Sequence, residues 1–140
     1  MYPSTLIKKA SRLLIKRANE LLKPYGLTDA YTYFLMALYQ QDGLTQSEMH
    51  KQIGIEQPTA VRTLDRMERD GLIIRTRSAR DRRAIEIRLT EKGRNCQSII
   101  EQCACELNQF VLSGFKEEEK DQIKSLLERL NNNFQIRLCL

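Results

Sequence analysis

Residues 45–71 have the sequence TQSEMHKQIGIEQPTAVRTLDRMERDG, and this stretch decides the fold of the chain. It begins with Thr45, followed three residues later by Glu48, a capping box that predicts the start of a short helix. Gly54 breaks that helix, and Pro58 suits the first turn of the next one, where a missing N–H costs nothing. A glycine ends the quoted stretch. Two short helices joined by a glycine turn are typical of a helix-turn-helix.

The second helix of this stretch is predicted to have one apolar and one basic side at 100° per residue. The apolar side consists of Ala60, Val61, Leu64 and Met67. The opposite side consists of Thr59, Arg62, Arg66 and Arg69. A solvated face with charge pairs at helical spacing would explain this stripe in an isolated helix. Its neighbours in the sequence favour a binding surface instead.

Two strands with a basic tip between them follow that helix. Residues 72–77 and 84–89 are predicted strands, and residues 78–83 have the polar sequence SARDRR. Six arginines and no lysine lie between Arg75 and Arg88. The arginine fork binds phosphates bidentately, donates to guanine and enters narrow minor grooves. A helix for the major groove beside a basic hairpin, or wing, accounts for both arginine clusters.

Helices are predicted on both sides of this region. Residues 4–23 form the first, and Thr28 caps a second that ends near residue 42. Thr90 caps a fifth helix, and a sixth follows residues 113–114. The apolar positions of the last two helices recur at alternating steps of four and three: Cys96, Ile100, Cys103, Leu107 and Phe110, then Ile123, Leu127, Leu130 and Phe134. This spacing is typical of helices that pack lengthwise on other helices.

Composition limits the function classes. The 140 residues indicate one domain, and the net charge of +5 is concentrated in residues 1–26 and 56–94, as expected for a partner such as nucleic acid. No long apolar run or secretory signal is recognised, so a cytoplasmic protein with reduced cysteines and no membrane partner is expected. The sequence shows no phosphate loop, metal-ligand spacing or activated nucleophile, so we expect no catalytic residues, metal or cofactor.

The chain resembles the MarR family of winged helix-turn-helix transcriptional regulators, and most of all its SlyA branch. The resemblance is carried by residues 53–58, 61–65, 70–73, 78–84 and 89–93. They include the Asp-x-Arg of the wing, at Asp81 and Arg83, and the Leu-Thr-x-x-Gly that ends the following strand. The resemblance implies a mostly α winged helix-turn-helix with a two-stranded β wing and long N- and C-terminal dimerisation helices. Residues 1–140 would form a single MarR-type domain, with a DNA-binding lobe at 28–93 and dimerisation helices at 1–25 and 95–140.

The resemblance also implies a function, a homodimer on palindromic operator DNA, and the residues that contact it. Gln57, Pro58, Thr59 and Arg62 would meet the major groove at the start of the recognition helix. Arg82 and Arg83 would lie in the wing, with Asp81 orienting an arginine. The basic stripe and the tip add Arg66 and Arg80 to this predicted interface. The chain departs from the family pattern at His50, where a small residue, often alanine, is usual.

The family resemblance further implies a pocket in which small anionic aromatic molecules lower DNA affinity. Arg12, Tyr31 and Tyr33 are the candidate effector-binding residues, as a carboxylate partner with aromatic walls. A surface arginine with core or interface tyrosines explains the same residues equally well. Cys96 and Cys103 lie on an apolar seam, which favours packing over redox sensing.

Two other function classes remain open to test. A winged-helix protein-interaction module would have the same fold and use its basic face for another purpose. Sequence-selective, salt-dependent binding to duplex DNA would separate that module from a regulator. An enzyme is the third class, and the residue inventory argues against it.

Overall fold

A computed structural model of the chain describes residues 1–138, in two compact units that divide between Leu107 and Asn108. The elements in chain order are α1 (Pro3–Leu22), a 3-10 turn (Lys23–Tyr25), α2 (Asp29–Gln40), α3 (Gln46–Ile53), α4 (Gln57–Arg69), β1 (Ile73–Arg77), β2 (Ile85–Leu89), α5 (Glu91–Asn95), α6 (Gln97–Val111) and α7 (Glu117–Leu138). A mostly helical chain with one antiparallel hairpin confirms the predicted fold class. Within residues 1–138, no helix is both long and apolar enough to span a membrane.

The core of the first unit lies beneath α2, α4 and the hairpin. Its largest fully buried side chains are Phe34, Leu35, Leu38, Leu44, Met49, Leu64, Met67, Leu72, Ile73 and Ile87. The strands pair with Ile73 opposite Leu89 and Arg77 opposite Ile85, so alternate side chains of each strand face this core. Burial of these residues fixes the helix-turn-helix against the hairpin.

Local capping explains where the helices begin. Thr45 and Thr90 each accept a hydrogen bond from the backbone N–H three residues ahead, at 3.1 Å and 3.0 Å. Thr28 does the same for α2, at 3.3 Å. Gly54 ends α3 with φ of 72°, a left-handed conformation that glycine adopts without a steric cost. These are the caps and the break that the sequence predicts.

The predicted fifth helix is wrong in one respect, because it divides into α5 and α6 at Cys96. The Tyr39 hydroxyl donates to the Gly93 carbonyl at 2.6 Å, and the Cys96 thiol donates to the Lys92 carbonyl at 3.2 Å. Both carbonyls would otherwise accept helical hydrogen bonds from the next turn. The Gly93 carbonyl also accepts from the Cys96 backbone N–H at 3.3 Å, a tighter spacing of three residues, and α6 begins at Gln97.

The terminal helices leave much apolar surface exposed. On α1, Leu6 and Leu13 are 53% and 58% exposed. In the second unit, Phe134 of α7 is 66% exposed. On α6, the predicted apolar seam is buried only in its first half, from Cys96 to Cys103. Of the region predicted for dimerisation, residues 139–140, with Cys139, lie outside the described part of the chain.

Candidate nucleic-acid interface

The outer face of α4 is the basic stripe that the sequence predicts. Ala60, Leu64 and Met67 are buried, and Val61 is half-buried. The exposed residues of the predicted interface on this helix are Gln57, Pro58, Thr59, Arg62 and Arg66. Thr63 also lies on α4, although the sequence analysis assigned it to neither side. The structure buries it, and its hydroxyl donates to the Thr59 carbonyl at 3.0 Å. That bond satisfies a polar group which burial would otherwise leave unpaired.

Ion pairs neutralise most of the acidic residues around α4 and the hairpin. Arg75 on β1 contacts Asp65 at 2.6 Å and Glu68 at 3.2 Å, both on α4. These contacts hold the pKa of Glu68 below its usual value. Arg75 is therefore committed to the fold, although the sequence alone groups it with the wing arginines.

Two more ion pairs complete this pattern. Arg69 contacts Asp70 at 3.1 Å, and Arg88 contacts Glu86 at 2.9 Å. Within residues 1–138, six arginines of α4 and the wing have no ion-pair partner: Arg62, Arg66, Arg77, Arg80, Arg82 and Arg83. All six are exposed. The positive charge that remains for a polyanion is thus on the outer face of α4 and on the wing.

The backbone of the wing tip is held by hydrogen bonds, and its arginine side chains are exposed. Ser78 is 7% exposed and donates to Glu86 at 3.0 Å, which lowers the pKa of that carboxyl. Asp81 accepts the Arg83 backbone N–H at 3.0 Å, and the Asp81 carbonyl accepts from Ala84. The resemblance implied that Asp81 orients an arginine. Here its carboxylate acts on the backbone of Arg83, and no ion pair joins it to an arginine side chain within residues 1–138.

A cleft of about 250 Å³ brings the wing tip next to the start of α4. Gln57 and Val61 line it from α4, and Arg83 lines it from the wing. Two backbone bonds hold β2 beside the segment before α3, Gly43 N to Ile87 O at 3.0 Å and Ile87 N to Leu44 O at 2.9 Å. Parts predicted as separate DNA contacts therefore form one continuous surface.

His50, the departure from the family pattern, lines the same cleft from α3. Its side chain is half-buried, and its Nδ1 atom is shielded from solvent without a hydrogen-bond partner within the described chain. The neighbouring Met49 is fully buried, so α3 still packs against the core with histidine at this position.

Asp42 is a structural residue that the sequence analysis missed. One carboxylate oxygen accepts from the backbone N–H groups of Gly43 and Leu89, at 3.0 Å and 2.9 Å. The other oxygen contacts Arg94 at 2.7 Å. Asp42 thereby ties the end of α2 to the base of the wing. The Asp-Gly pair signalled a turn, but nothing in the sequence indicated its partners.

The three candidate effector residues do not come together. Tyr31 is 4% exposed, and its hydroxyl donates to Asp70 at 2.7 Å, which favours the core interpretation. Arg12 is exposed on α1. Only Tyr33 lines the cavities described next.

Two cavities share Asp29 and Tyr33 as lining residues. The α1–α4 cavity, about 530 Å³, is lined by Ile15, Asn19, Lys23, Leu27, Thr28, Asp29, Ala30, Tyr33, Ile55, Thr59, Thr63 and Arg66. The α1–α6 cavity, about 340 Å³, is lined by Ala18, Leu22, Asp29, Thr32, Tyr33, Met36, Ile100, Glu101, Cys103, Ala104 and Leu107. The first cavity includes Lys23 and Arg66 besides Asp29, whereas the charged residues of the second, Asp29 and Glu101, are both acidic.

The described cysteines show packing roles in two of three cases. Cys96 and Cys103 are buried, and burial raises the pKa of both thiols. A raised pKa reduces the thiolate fraction on which reactivity depends. Cys105 is exposed. In residues 1–138, no group of three or more potential ligands could hold a metal ion.

Comparisons with known proteins agree with this geometry. A model of the MarR family matches residues 25–84. The structure of MepR from S. aureus, solved as a DNA complex, is 30% identical, with 95% of this chain and 98% of that chain covered and a TM-score of 0.84. The chain belongs to the MarR family. Members of this family are transcriptional regulators rather than enzymes.

Two further MarR-type structures support the assignment over nearly the whole chain. A MarR transcriptional regulator from Methanosarcina mazei Go1 is 27% identical, with 95% and 96% of the two chains covered and a TM-score of 0.85. The transcriptional regulator SlyA is 28% identical, with 96% and 94% covered and the same TM-score. The predicted family and fold are confirmed. The SlyA branch is compatible with these matches without being singled out by them.

Proposed function

We propose that this chain is a sequence-specific regulator that binds palindromic duplex DNA as a homodimer. The observation that carries the proposal is the position of the unpaired arginines on the outer face of α4 and on the wing. A helix of this width fits the major groove, and arginines of a hairpin fit the minor groove or backbone beside it. The MepR relative was solved as a complex with DNA, which supports DNA as the partner.

The proposed interface divides into two groups by position. Gln57, Pro58, Thr59 and Arg62 lie at the start of α4, where a recognition helix contacts base edges. Arg66 and the tip residues Arg80, Arg82 and Arg83 contact phosphates or the minor groove. Asp81 contributes by fixing the tip backbone. In this scheme α4 supplies sequence selectivity and the wing supplies affinity.

Selection of bound genomic fragments with purified protein, followed by Arg62→Ala, tests the proposal. A base contact carries discrimination of about 1–3 kcal/mol, so the variant should lose more affinity for the selected operator than for random duplex. Equal losses on both DNAs would assign Arg62 to the phosphates. Failure to select any duplex, combined with capture of a folded protein at the basic face, would favour the protein-interaction module instead.

The proposed homodimer rests on exposed apolar residues of the terminal helices. Leu6 and Leu13 on α1, and Leu126 and Phe134 on α7, are each more than half exposed. Exposed apolar area of this extent is typical of a protein–protein interface. Sedimentation should give a dimer at micromolar concentration, with half-sites on DNA about 34 Å apart. A stable monomer, or footprints indifferent to half-site spacing, would contradict it.

The proposed regulation is by a small anionic aromatic ligand in the α1–α4 cavity. Lys23 and Arg66 offer cations there, and Tyr33 offers an aromatic wall. Lys23→Ala should therefore weaken salicylate binding more than Arg12→Ala does, since Arg12 does not line the cavity. The reverse result would support the residue expected from the sequence. A cytoplasmic location follows from this proposed role in transcription.

A further inference from the structure

Ser78 ties together three segments of the wing tip. Its backbone N–H donates to the Ala84 carbonyl at 2.9 Å, which closes the loop of residues 79–83. Its hydroxyl accepts from the Arg80 backbone N–H at 3.2 Å and donates to Glu86 Oε1 at 3.0 Å. Because this side chain is only 7% exposed, we expect it to act on the surrounding chain rather than on DNA.

Glu86, which accepts from the Ser78 hydroxyl, is itself held against the rest of the DNA-binding lobe. Its other carboxylate oxygen contacts Arg88 at 2.9 Å, and a β-bridge pairs its backbone with Thr45 at the start of α3. The guanidinium of Arg88 lies close to Gly43, where an added Cβ would meet it at 3.1 Å. Contacts therefore run without a break from the loop between α2 and α3 to the backbone of the wing tip.

The acidic residues of the hairpin act on the backbone and side chains that shape its tip. Asp81 and Glu86 are the two acids of residues 73–89. A negative charge within a surface for a polyanion weakens the attraction, so we expect each acid to have a compensating role. Asp81 accepts the Arg83 backbone N–H, and Glu86 accepts the Ser78 hydroxyl. Ser78 and Arg88 lower the pKa of Glu86, which keeps this carboxylate ionised as an acceptor at neutral pH.

We propose that Ser78 and Glu86 are positioning residues, which hold the wing tip in its DNA-binding conformation before DNA is bound. The tip carries Arg80, Arg82 and Arg83, all of them exposed. A disordered tip would lose conformational entropy when these arginines contact DNA, whereas a tip that is already ordered avoids most of that loss. This role rests on the function proposed above, because it assumes that the wing contacts DNA.

Hydrogen exchange in the full chain without DNA tests whether Ser78 orders the tip. Ser78→Ala removes the hydroxyl without changing the charge, so the amides of residues 79–84 should exchange at least about fivefold faster, while α4 keeps its protection. Thr76→Ala is the matched control, because Thr76 is an exposed hydroxyl residue of the same hairpin, opposite Glu86 in the register. Exchange at the tip that Ser78→Ala leaves unchanged would overturn the proposal.

Binding to the selected operator tests whether that order serves DNA recognition. Ser78→Ala should weaken binding by about five- to tenfold, because the tip of each protomer must now be ordered on DNA. The slope of log affinity against log salt should keep its wild-type value, since no phosphate contact is removed. Wild-type affinity in Ser78→Ala, or a slope reduced as in Arg83→Ala, would overturn the positioning role. Far-UV circular dichroism checks that each variant is folded.

Glu86→Gln and Glu86→Ala separate the hydrogen bond from the charge. Both variants remove the same negative charge, but only glutamine keeps an oxygen that can accept from the Ser78 hydroxyl. Glu86→Gln should therefore keep wild-type exchange at the tip and bind DNA at least as tightly as wild type. Glu86→Ala should exchange as fast as Ser78→Ala and bind DNA about fivefold more weakly than Glu86→Gln. Equal DNA affinities of the two Glu86 variants would overturn the proposal.

Arg83→Ala distinguishes failure of this inference from failure of the proposed function. If Arg83→Ala weakens binding while Ser78→Ala binds as tightly as wild type, the wing contacts DNA without help from Ser78. The inference then fails and the proposed function stands. If the chain selects no duplex at all, both are overturned, and faster exchange in Ser78→Ala would then describe the stability of the hairpin alone.

Discussion

Arg75→Ala and Arg83→Ala distinguish an arginine that stabilises the fold from one that contacts DNA. Arg75 is 20% exposed, and its Nη2 atom lies 2.6 Å from Asp65 and 3.2 Å from Glu68. A partly exposed ion pair is worth about 0.2–1 kcal/mol, and the covered stem of the arginine adds packing. We expect Arg75→Ala to lower the free energy of unfolding by about 1–2 kcal/mol. Arg83→Ala keeps the backbone N–H that binds Asp81, so it should change stability by less than about 0.5 kcal/mol.

The salt dependence of DNA binding should separate the same two variants in the opposite sense. Each phosphate contact contributes about 0.9 to the slope of log affinity against log salt, or about 1.8 for a two-fold dimer. Arg83→Ala should reduce the slope by up to that amount. Arg75→Ala should leave the slope unchanged and weaken binding moderately, because Asp65 and Glu68 then remain unneutralised on α4.

Urea unfolding between pH 7 and pH 3 adds a check on the ion pair. Arg75 lowers the pKa of Glu68, so this contact stabilises the fold above the usual carboxyl pKa of about 4.3. The stabilisation is lost as the pH falls through the lowered value. The stability difference between wild type and Arg75→Ala should therefore narrow below about pH 4. The structural role of Arg75 would be refuted if Arg75→Ala were as stable as wild type and its DNA affinity depended on salt as weakly as that of Arg83→Ala.

Two further substitutions test packing within the first unit. Tyr31→Phe removes the hydroxyl that donates to Asp70 at 2.7 Å. Because the acceptor is charged, the free energy of unfolding in urea should fall by about 1.5–3 kcal/mol. An unchanged free energy of unfolding would show that water replaces the bond. Gly93→Ala places a methyl group against the carbonyl oxygen of Leu72, which belongs to the backbone and cannot move aside. The midpoint of thermal unfolding should therefore fall by several degrees. An unchanged midpoint would contradict this packing.

The helices and strands were predictable because their signals are local. The threonine caps at Thr45 and Thr90, and the break at Gly54, depend on residues within one turn of each other. The outer face of α4 follows from the helical period alone. The predicted fold class therefore needed no knowledge of which elements touch.

Features that depend on distant contacts could not be predicted in this way. At the division near Cys96, the Gly93 carbonyl accepts from the Tyr39 hydroxyl, which lies 54 positions away in the sequence. The pairing of Arg75 with Asp65 requires β1 to lie against α4. Tyr31 is aromatic, as a residue lining a ligand pocket could be, but its hydrogen bond to Asp70 makes it part of the core. In each case the residue type indicated a possible role, but the sequence did not reveal which distant residue the side chain contacts.

Arg66 connects the proposed DNA interface to the proposed effector site. It is one of the unpaired arginines of α4, and it also lines the α1–α4 cavity with Thr59 and Thr63. An anion in that cavity can therefore withdraw Arg66 from DNA without any change in the spacing of the recognition helices. This direct competition predicts a salt slope that is shallower by up to about 1.8 in saturating salicylate, since each protomer loses one phosphate contact. A change in helix spacing alone would weaken binding through poorer fit at every contact. Because coupling between two ligands is reciprocal, operator DNA must weaken salicylate binding by the same factor. An unchanged slope with reciprocal weakening would reject competition at Arg66 and leave a change in dimer geometry as the means of regulation.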